Sequence, residues 1–599
     1  MNILEDLNGS ADLKKLKISQ LSALAVDLRS QILSVTRKNG GHLSSNLGMV
    51  ETTIALHYCF DLPKDKIVFD VGHQCYAHKL LSDRKQSFES LRSWGGISGF
   101  PDIEESEYDA FSTGHAGTSI SAALGLCYAR DTLGQDHTVI AVVGDGSLSN
   151  GLNLEALNAS NQKPNNFIVI LNDNGMSISK NKNGFYKLIS KSTTKRGYVK
   201  GKRAVKRIFG NSFVTRFLIR CKDFLKRVFN KNNYFEKLGF KYVGVIDGNN
   251  VKELTNILSR VKNIAKEKAV LLHVRTTKGK GYDKAEENSS TYHGVSKNFE
   301  QTTSGFGLTL GQTLSAEMDK DERIVAITAG MKDGTGLFQV EKTHPDRFYD
   351  VGIAEEYAVT LAAGMAKGGL KPVVGIYSTF TQRAYDQIVH DVCLQNLPVV
   401  LCLDRAGLNG EDGKTHQGLF DISYLSHLPN LTVFAPADDN DLAETIKYAL
   451  SLNSPVAIRY PKKGEGRFAT QEFGTGEWER LTEGKDVTVL AVGPRMIKLA
   501  LNLNQACENK LSVVCVKRVN PLDQKFLDGL VGTVITLEEN AIKGGFGQAV
   551  KCYLADKNQK AKVFGFGIKD EFIPHGSVEE QLAYCGLTVD NIKKIVFNS

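Results

Sequence analysis

Two oxygen-bearing side chains in this 599-residue sequence stand where a diphosphate and its metal could be held. Asp145 lies between two glycines in "AVVGDGSLSNG" (141–151), where small apolar residues give way to polar ones that suit a helix start. Alone, a GDG reads as a strand-to-helix turn with an acid near a helix N-terminus, where negative charge is favoured. Asn174 follows 29 residues later in "NFIVILNDNGMSIS", again at the end of an apolar run. Two parallel strands ending side by side would put both side chains at the carboxyl edge of one sheet, where α/β proteins bind ligands. An Asp carboxylate, an Asn carbonyl and a backbone carbonyl such as that of Met176 are hard ligands suited to octahedral Mg²⁺, and two phosphate oxygens would complete most of the shell. The glycines allow close backbone approach to a diphosphate, and no Walker-type GxxxxGKS competes for that role.

GDG with NDN at this spacing resembles the fingerprint of thiamin diphosphate enzymes. Thiamin chemistry needs one further group, a carboxylic acid that hydrogen-bonds the pyrimidine nitrogen remote from the thiazolium. "DVGIAEEYAVTLAAG" offers Glu355 and Glu356 where a strand gives way to a helix. By position either is an ordinary first-turn acid, and composition does not choose between them.

These residues must be placed by parallel sheets. Short β-rich apolar runs alternate with helical patterns over most of the length, which predicts an α/β fold of three consecutive parallel-sheet domains. The first block holds "KIVFDVGHQ", "TVIAVVGDG", "NFIVILNDN" and "AVLLHVRTTKGKG"; the second runs from "RIVAITAGM" to "PVAIRYPKKG"; the third holds "DVTVLAVGP", "LSVVCVKRVNP", "TVITLEEN" and "AKVFGFGI". Polar stretches at 292–305 and 462–479 suggest linkers. The expected division is a diphosphate- and Mg²⁺-binding domain at 1–305, a pyrimidine-binding domain at 306–475 and a C-terminal domain at 476–599.

The net charge of +8 is local in origin. From Lys180 to Phe235 there are 17 Lys and Arg against the single acid Asp223, so the rest of the chain is net negative. This segment reads as a mobile Lys/Gly-rich stretch followed by an amphipathic basic helix with Val214, Phe217, Leu218, Cys221, Phe224, Leu225 and Val228 on one face. A solvated lid over phosphorylated ligands is the simpler reading of it, and docking on RNA or anionic lipid the rival one. No run of residues reaches a membrane span, and the start of the chain lacks the apolar core of a signal peptide, so a cytoplasmic protein with no membrane and no nucleic-acid partner is expected. Ten scattered cysteines without a CxxC read as reduced thiols.

From about Leu16 to about Asp590 the chain resembles the 1-deoxy-D-xylulose-5-phosphate synthase family of transketolase-like enzymes. The likeness is carried by "GGHLSSNLGMVE", "FDVGHQCYAHK", "ESEYDAFSTGHAGTSIS", "KGKGY", "IAEEYAVT", "IYSTFTQRAYDQ", "DRAG", "DGKTHQG", "RYP" and "EENAIKGGFG", together with the two motifs above. It implies a thiamin diphosphate- and Mg²⁺-dependent condensation of pyruvate with D-glyceraldehyde 3-phosphate in a homodimer; a related enzyme taking another aldehyde is the alternative. It selects Glu355 over Glu356, and implies that His42, His73 and His416 handle protons or face the substrate. His73, Gly114, His115, Ala116, Gly146, Ser147, Asn174, Tyr282 and Phe380 would line the cofactor, Phe380 by stacking on the pyrimidine. Tyr377, Arg383 and Asp412 would meet substrate, and Arg405 and Arg459 would grip the acceptor phosphate, for which a guanidinium fork is well suited. The metal would take Asp145, Asn174 and Met176. Three departures stand out, "GHAGTS" for the usual "GHSSTS", "AEEY" for "AEQH" and "NDNGMSIS" for "NDNEMSIS".

Overall fold

Strands buried on both faces need apolar residues at every position, and the central strands here have them. In the computed structural model, which describes residues 2–7, 9–159, 163–175, 234–299, 305–468 and 476–597, the chain forms two compact units. Met176 and residues 180–233 of the basic segment lie outside the described residues.

The first unit comprises residues 1–89 and 100–298. A short ladder pairs β1 (Gly41–His42) with β7 (Gly294–Val295) in antiparallel fashion. The main sheet contains β2 (Lys66–Phe69), β3 (Val139–Gly144), β4 (Phe167–Asp173), β5 (Lys241–Asp247) and β6 (Val270–Arg275), all parallel, in the order β2-β3-β4-β6-β5. Alternate residues of the central strands feed separate cores. Val139, Ala141, Val143, Phe167, Val169 and Leu171 pack with residues of helix Ser119–Thr132, while Ile140, Val142, Ile168 and Ile170 pack with residues of helices Ser44–Cys59 and Val251–Ala265. Helix Ser44–Cys59 is buried on nearly every side, so its sequence lacks a polar face. Strand β5 was not among the apolar runs picked out above, since it is a half-exposed edge strand with a weak pattern.

The second unit comprises residues 90–99 and 299–599 and holds two sheets. One contains β8 (Ile324–Thr328), β9 (Phe348–Asp350), β10 (Lys371–Tyr377), β11 (Val400–Asp404), β12 (Thr432–Phe434) and β13 (Val456–Tyr460), all parallel. The other contains β14 (Glu479–Arg480), β15 (Val487–Ala491), β16 (Ser512–Cys515), β18 (Thr533–Ala541) and β19 (Lys562–Ile568), parallel except for the edge strand β14. The expected parallel α/β sheets are therefore present. The run "LSVVCVKRVNP", read above as one strand, is split: β16 stays in its own sheet, and β17 (Arg518–Asn520) adds antiparallel to β12 at the edge of the other. Residues 90–99 join this unit through Trp94, whose ring lies 5.3 Å from that of Tyr584, and through His575 Nε2, which donates to the Gly96 carbonyl at 3.1 Å.

In the first unit an irregular stretch, 101–118, is held by a buried ionic cluster. Asp109 accepts both guanidinium nitrogens of Arg84, His78 Nε2 at 3.1 Å and the backbone N–H of Asp102 at 2.8 Å. His57 Nε2 lies 2.9 Å from His78 Nδ1, and burial lowers the pKa of both rings. Burial tends to raise the Asp109 pKa, but His78 and Arg84 outweigh it and hold the carboxyl well below the usual range. Removing one partner of a buried ion pair leaves the other uncompensated. Asp109→Asn should therefore cost about 3–5 kcal/mol in urea denaturation. A loss under about 1 kcal/mol would show that the cluster does not hold this stretch.

Candidate active site

In the first unit, β3 delivers Asp145 directly into the helix Asp145–Leu148, and β3 pairs with β4 so that Gly144 stands opposite Asn172. The Gly175 N–H donates to Asp145 Oδ2 at 3.0 Å and to Asp173 Oδ1 at 3.1 Å, and the Gly146 N–H to Asp145 Oδ1 at 3.0 Å. Asp145 and the turn bearing Asn174 thus meet at the carboxyl edge. Met176, the third expected metal ligand, is outside the described residues. Lys278, nearly buried and in the field of Asp145, has its pKa pushed down to about 8 by burial. A buried carboxylate oxygen set beside a lysine is a donor set that suits a metal-bound diphosphate.

Asp70, in "FDVGHQ", organises the rest of this edge. It accepts the N–H groups of Gly117 at 2.8 Å and Ser119 at 3.1 Å, the Ser147 hydroxyl, and Asn153 Nδ2 at 3.2 Å. One side chain therefore ties the Gly114–His115–Ala116 turn to Gly146 and Ser147. At Gly117, one of the family departures, φ is +92° and a Cβ would lie 2.2 Å from Asn150 Oδ1, so glycine fits this backbone. Tyr282 stands just before helix Asp283–Glu287, its ring edge-on to Tyr292 at 5.6 Å.

His42 on β1 and His73 beyond β2 come together, with ring centroids 5.4 Å apart. A third imidazole, His293, lies 5.6 Å from His42 and 5.2 Å from His73. Burial, with the positive field of Lys278, lowers its pKa well below the ordinary histidine value. The sequence reading missed His293; its signal was "YHGV" at the edge of a stretch taken for a linker.

In the second unit, Glu355 opens helix Glu355–Lys367 and is 3% exposed, whereas Glu356 is half-buried. Burial raises the Glu355 pKa to about 7, with Arg383 opposing. Its Oε2 is buried, accepts no hydrogen bond among the described residues, and lies 3.9 Å from Arg383 Nη1. A protonated carboxyl with an unengaged oxygen is what a heterocyclic nitrogen requires of its acid. Phe380 stacks on Tyr377 at 5.7 Å and meets His416 edge-on at 5.4 Å. The Arg405 guanidinium lies 3.8 Å from the Tyr377 ring centroid and donates to Asp404 Oδ2 at 2.9 Å. Burial lowers the His416 pKa against the pull of Asp412, and Asp412 is ion-paired with Arg92, a partner the sequence reading did not anticipate.

Arg459, opposite Leu403 in the β11–β13 pairing, is held by other partners. Its Nε donates to both oxygens of Asp421 at 3.1 and 3.0 Å and its Nη2 to the Glu539 carbonyl at 3.1 Å. The Lys462 ammonium, three residues on, shares the electrostatic environment of Arg405 and Asp412.

Comparison with known proteins places this geometry. Residues 4–276 match the 1-deoxy-D-xylulose-5-phosphate synthase family, 306–464 the transketolase pyrimidine-binding domain and 476–592 the transketolase C-terminal domain. A 1-deoxy-D-xylulose-5-phosphate synthase from Carboxydothermus hydrogenoformans is 47% identical over 612 residues, 98% of each chain. One from Clostridium tetani is 44% identical over 619 residues, covering 100% of this chain and 99% of its own. The chain belongs to the 1-deoxy-D-xylulose-5-phosphate synthase family. Within that family frame, the residues singled out by motif fall into two groups: Asp145, Asn174, Gly146, Ser147, His42 and His73 at the edge of the first unit, and Glu355, Arg383, Tyr377, Phe380, Arg405, Asp412 and His416 in the second.

Glu355 carries a stability cost that can be measured. Its carboxyl pKa is raised from 4.5 to about 7 on folding, so folding is unpenalised below pH 4.5 and loses stability as pH rises toward and through 7. Glu355→Gln removes that loss. The variant should match the parent below pH 4.5 and exceed it by about 3 kcal/mol above pH 7 in chemical denaturation. A pH-independent difference would mean that the carboxyl is not held neutral by burial.

Proposed function

We propose that this chain condenses pyruvate with D-glyceraldehyde 3-phosphate, with loss of carbon dioxide, to 1-deoxy-D-xylulose 5-phosphate, using thiamin diphosphate and Mg²⁺. The observation that carries the reading is Glu355: a buried carboxyl, its pKa lifted to about 7, with an oxygen that accepts no hydrogen bond among the described residues and lies 3.9 Å from Arg383 Nη1, in a chain of this family. When bound, thiamin diphosphate supplies a carbon nucleophile and an electron sink.

The chain's own residues do the rest. Glu355 holds a proton at a carboxyl oxygen for the pyrimidine ring, and Arg383 moderates how firmly it is held. Phe380, braced by Tyr377, offers a flat apolar face to that ring. Asp145, Asn174 and the Met176 carbonyl hold the metal, with Lys278 offsetting diphosphate charge. Gly114, His115, Ala116, Gly146 and Ser147 form the diphosphate wall fixed by Asp70, and Tyr282 lines the same face. His42, His73 and His416 move protons at the reacting carbons and oxygens. Tyr377 and Asp412 orient the substrates. Arg405 meets the acceptor phosphate with Lys462 nearby, and Arg459 supports that wall through Asp421. The working form is a cytoplasmic homodimer, divided at about 305 and 475 into diphosphate, pyrimidine and C-terminal domains.

The direct test is purified protein with both substrates, thiamin diphosphate and Mg²⁺, watched by NMR for deoxyxylulose phosphate. Omitting either cofactor should abolish it, and another product would reassign the acceptor. Glu355→Ala should lower kcat by about 10²–10⁴-fold, the range for loss of an acid–base group. Glu356→Ala should be mild, and the reverse ranking would remove Glu355 from its role.

The two arginines separate by acceptor. Arg405→Ala should raise KM for glyceraldehyde 3-phosphate far more than for unphosphorylated glyceraldehyde, because only one acceptor carries the dianion. Arg459→Ala should lower Tm and impair both acceptors alike, since it strands Asp421. A phosphate-selective loss in Arg459→Ala with unchanged Tm would restore it as a direct phosphate ligand.

A further inference from the structure

His42 and His73 come from segments 31 residues apart in sequence, yet their rings lie at a fixed 5.4 Å. One side chain bonds to both segments. Asn46 is fully buried in the first turn of helix Ser44–Cys59. Its Nδ2 donates to the His42 carbonyl at 2.7 Å and to the His73 carbonyl at 2.7 Å, and its Oδ1 accepts the Tyr76 N–H at 2.8 Å. The Tyr76 hydroxyl in turn accepts the His42 N–H at 3.1 Å. A planar carboxamide with three such bonds has no rotational freedom left, so the two backbones that carry the imidazoles are held to one spacing.

The same helix start also places the third ring. Leu43 and Ser44 donate their N–H groups to the carbonyls of His293 and Tyr292 at 3.1 and 2.9 Å. Ser45 Oγ lies 3.3 Å from His293 Nδ1. Yet His293 is reached by backbone pairing that many sequences would give, whereas the His42–His73 bridge needs two N–H donors and one acceptor on one short side chain. Aspartate has the length but no donors, serine lacks the reach, and glutamine adds a methylene in a packed interior.

We propose that Asn46 is the positioning residue that sets the separation of the His42 and His73 imidazoles. It touches no reacting atom; it acts through the two carbonyls it holds. The proposal rests on the proton-handling role given to these histidines under Proposed function only where turnover is concerned.

Asn46→Asp tests it, keeping volume and the acceptor for Tyr76 N–H while turning two donors into an oxygen that faces two carbonyls. Full-length protein labelled with ¹³C at histidine Cε1 reads the result without cofactor, His42→Gln and His73→Gln assigning the two signals. Both signals should shift in Asn46→Asp while those of His344 and His427, which belong to the second unit, stay, and kcat should fall by about 10²-fold, the scale of a small misplacement of reacting groups. Unshifted His42 and His73 signals in the folded variant, or equal disturbance of every histidine with a lowered Tm, would overturn the proposal. Shifted signals with unchanged kcat would uphold the positioning role and overturn instead the proton role of the two rings. Should Asn46→Asp not fold, Tyr76→Phe decides: it leaves both carbonyl bonds in place and removes only the acceptor of the His42 N–H. A shift confined to His42 supports the clamp; no shift, or a shift of both, overturns it.

Discussion

The carboxylate of Asp70 is the interaction on which the first half of the site depends. A buried carboxylate is tolerable only when its oxygens are met by donors, and here the donors come from three separate segments: Gly117 and Ser119, Ser147, and Asn153. Satisfying one charge therefore fixes the entrance to helix Ser119–Thr132 against the GDG turn. The proposed diphosphate wall is held together because these segments cannot separate without stranding that charge. The buried Asp109 cluster serves the same stretch from its other end, so residues 101–118 need no regular structure of their own to be placed.

Two carboxyl groups carry the proposed chemistry, and the fold gives them opposite surroundings. Asp145 receives two backbone N–H groups and the field of a buried lysine. Glu355 is buried with one oxygen that accepts no hydrogen bond among the described residues, so its proton is retained to about pH 7 despite the nearby Arg383. Environment, not residue type, suits one to the proposed role of metal ligand and the other to that of acid. The arginines divide in the same way. Arg405 is stacked on Tyr377 beside other substrate candidates, whereas Arg459 spends its Nε on Asp421.

Much of the fold was legible because parallel strands buried on both faces demand unbroken apolar runs, and "TVIAVVGDG" and "NFIVILNDN" have no other economical reading. The half-exposed edge strand β5 lacked that signal. The division of "LSVVCVKRVNP" between two sheets, and the membership of residues 90–99 in the second unit, depend on partners elsewhere in the chain, those of residues 90–99 hundreds of residues away; nothing local marks them.

For this protein, sequence alone determined the local chemistry: a strand ending in GDG, another ending in NDN, a pair of acids at a helix start, and an ordered set of motifs specific to one family. Tertiary structure decided which members of those motifs act together. It buried Glu355 and left Glu356 half-buried, because the two adjacent side chains point in different directions from one helical turn. It gathered His293 with His42 and His73, made Asp70 the meeting point of Gly117, Ser119, Ser147 and Asn153 and closed Arg459 onto Asp421. Each of these outcomes is a matter of burial and of partners distant in sequence, and neither quantity is written in the spacing of residues along a chain.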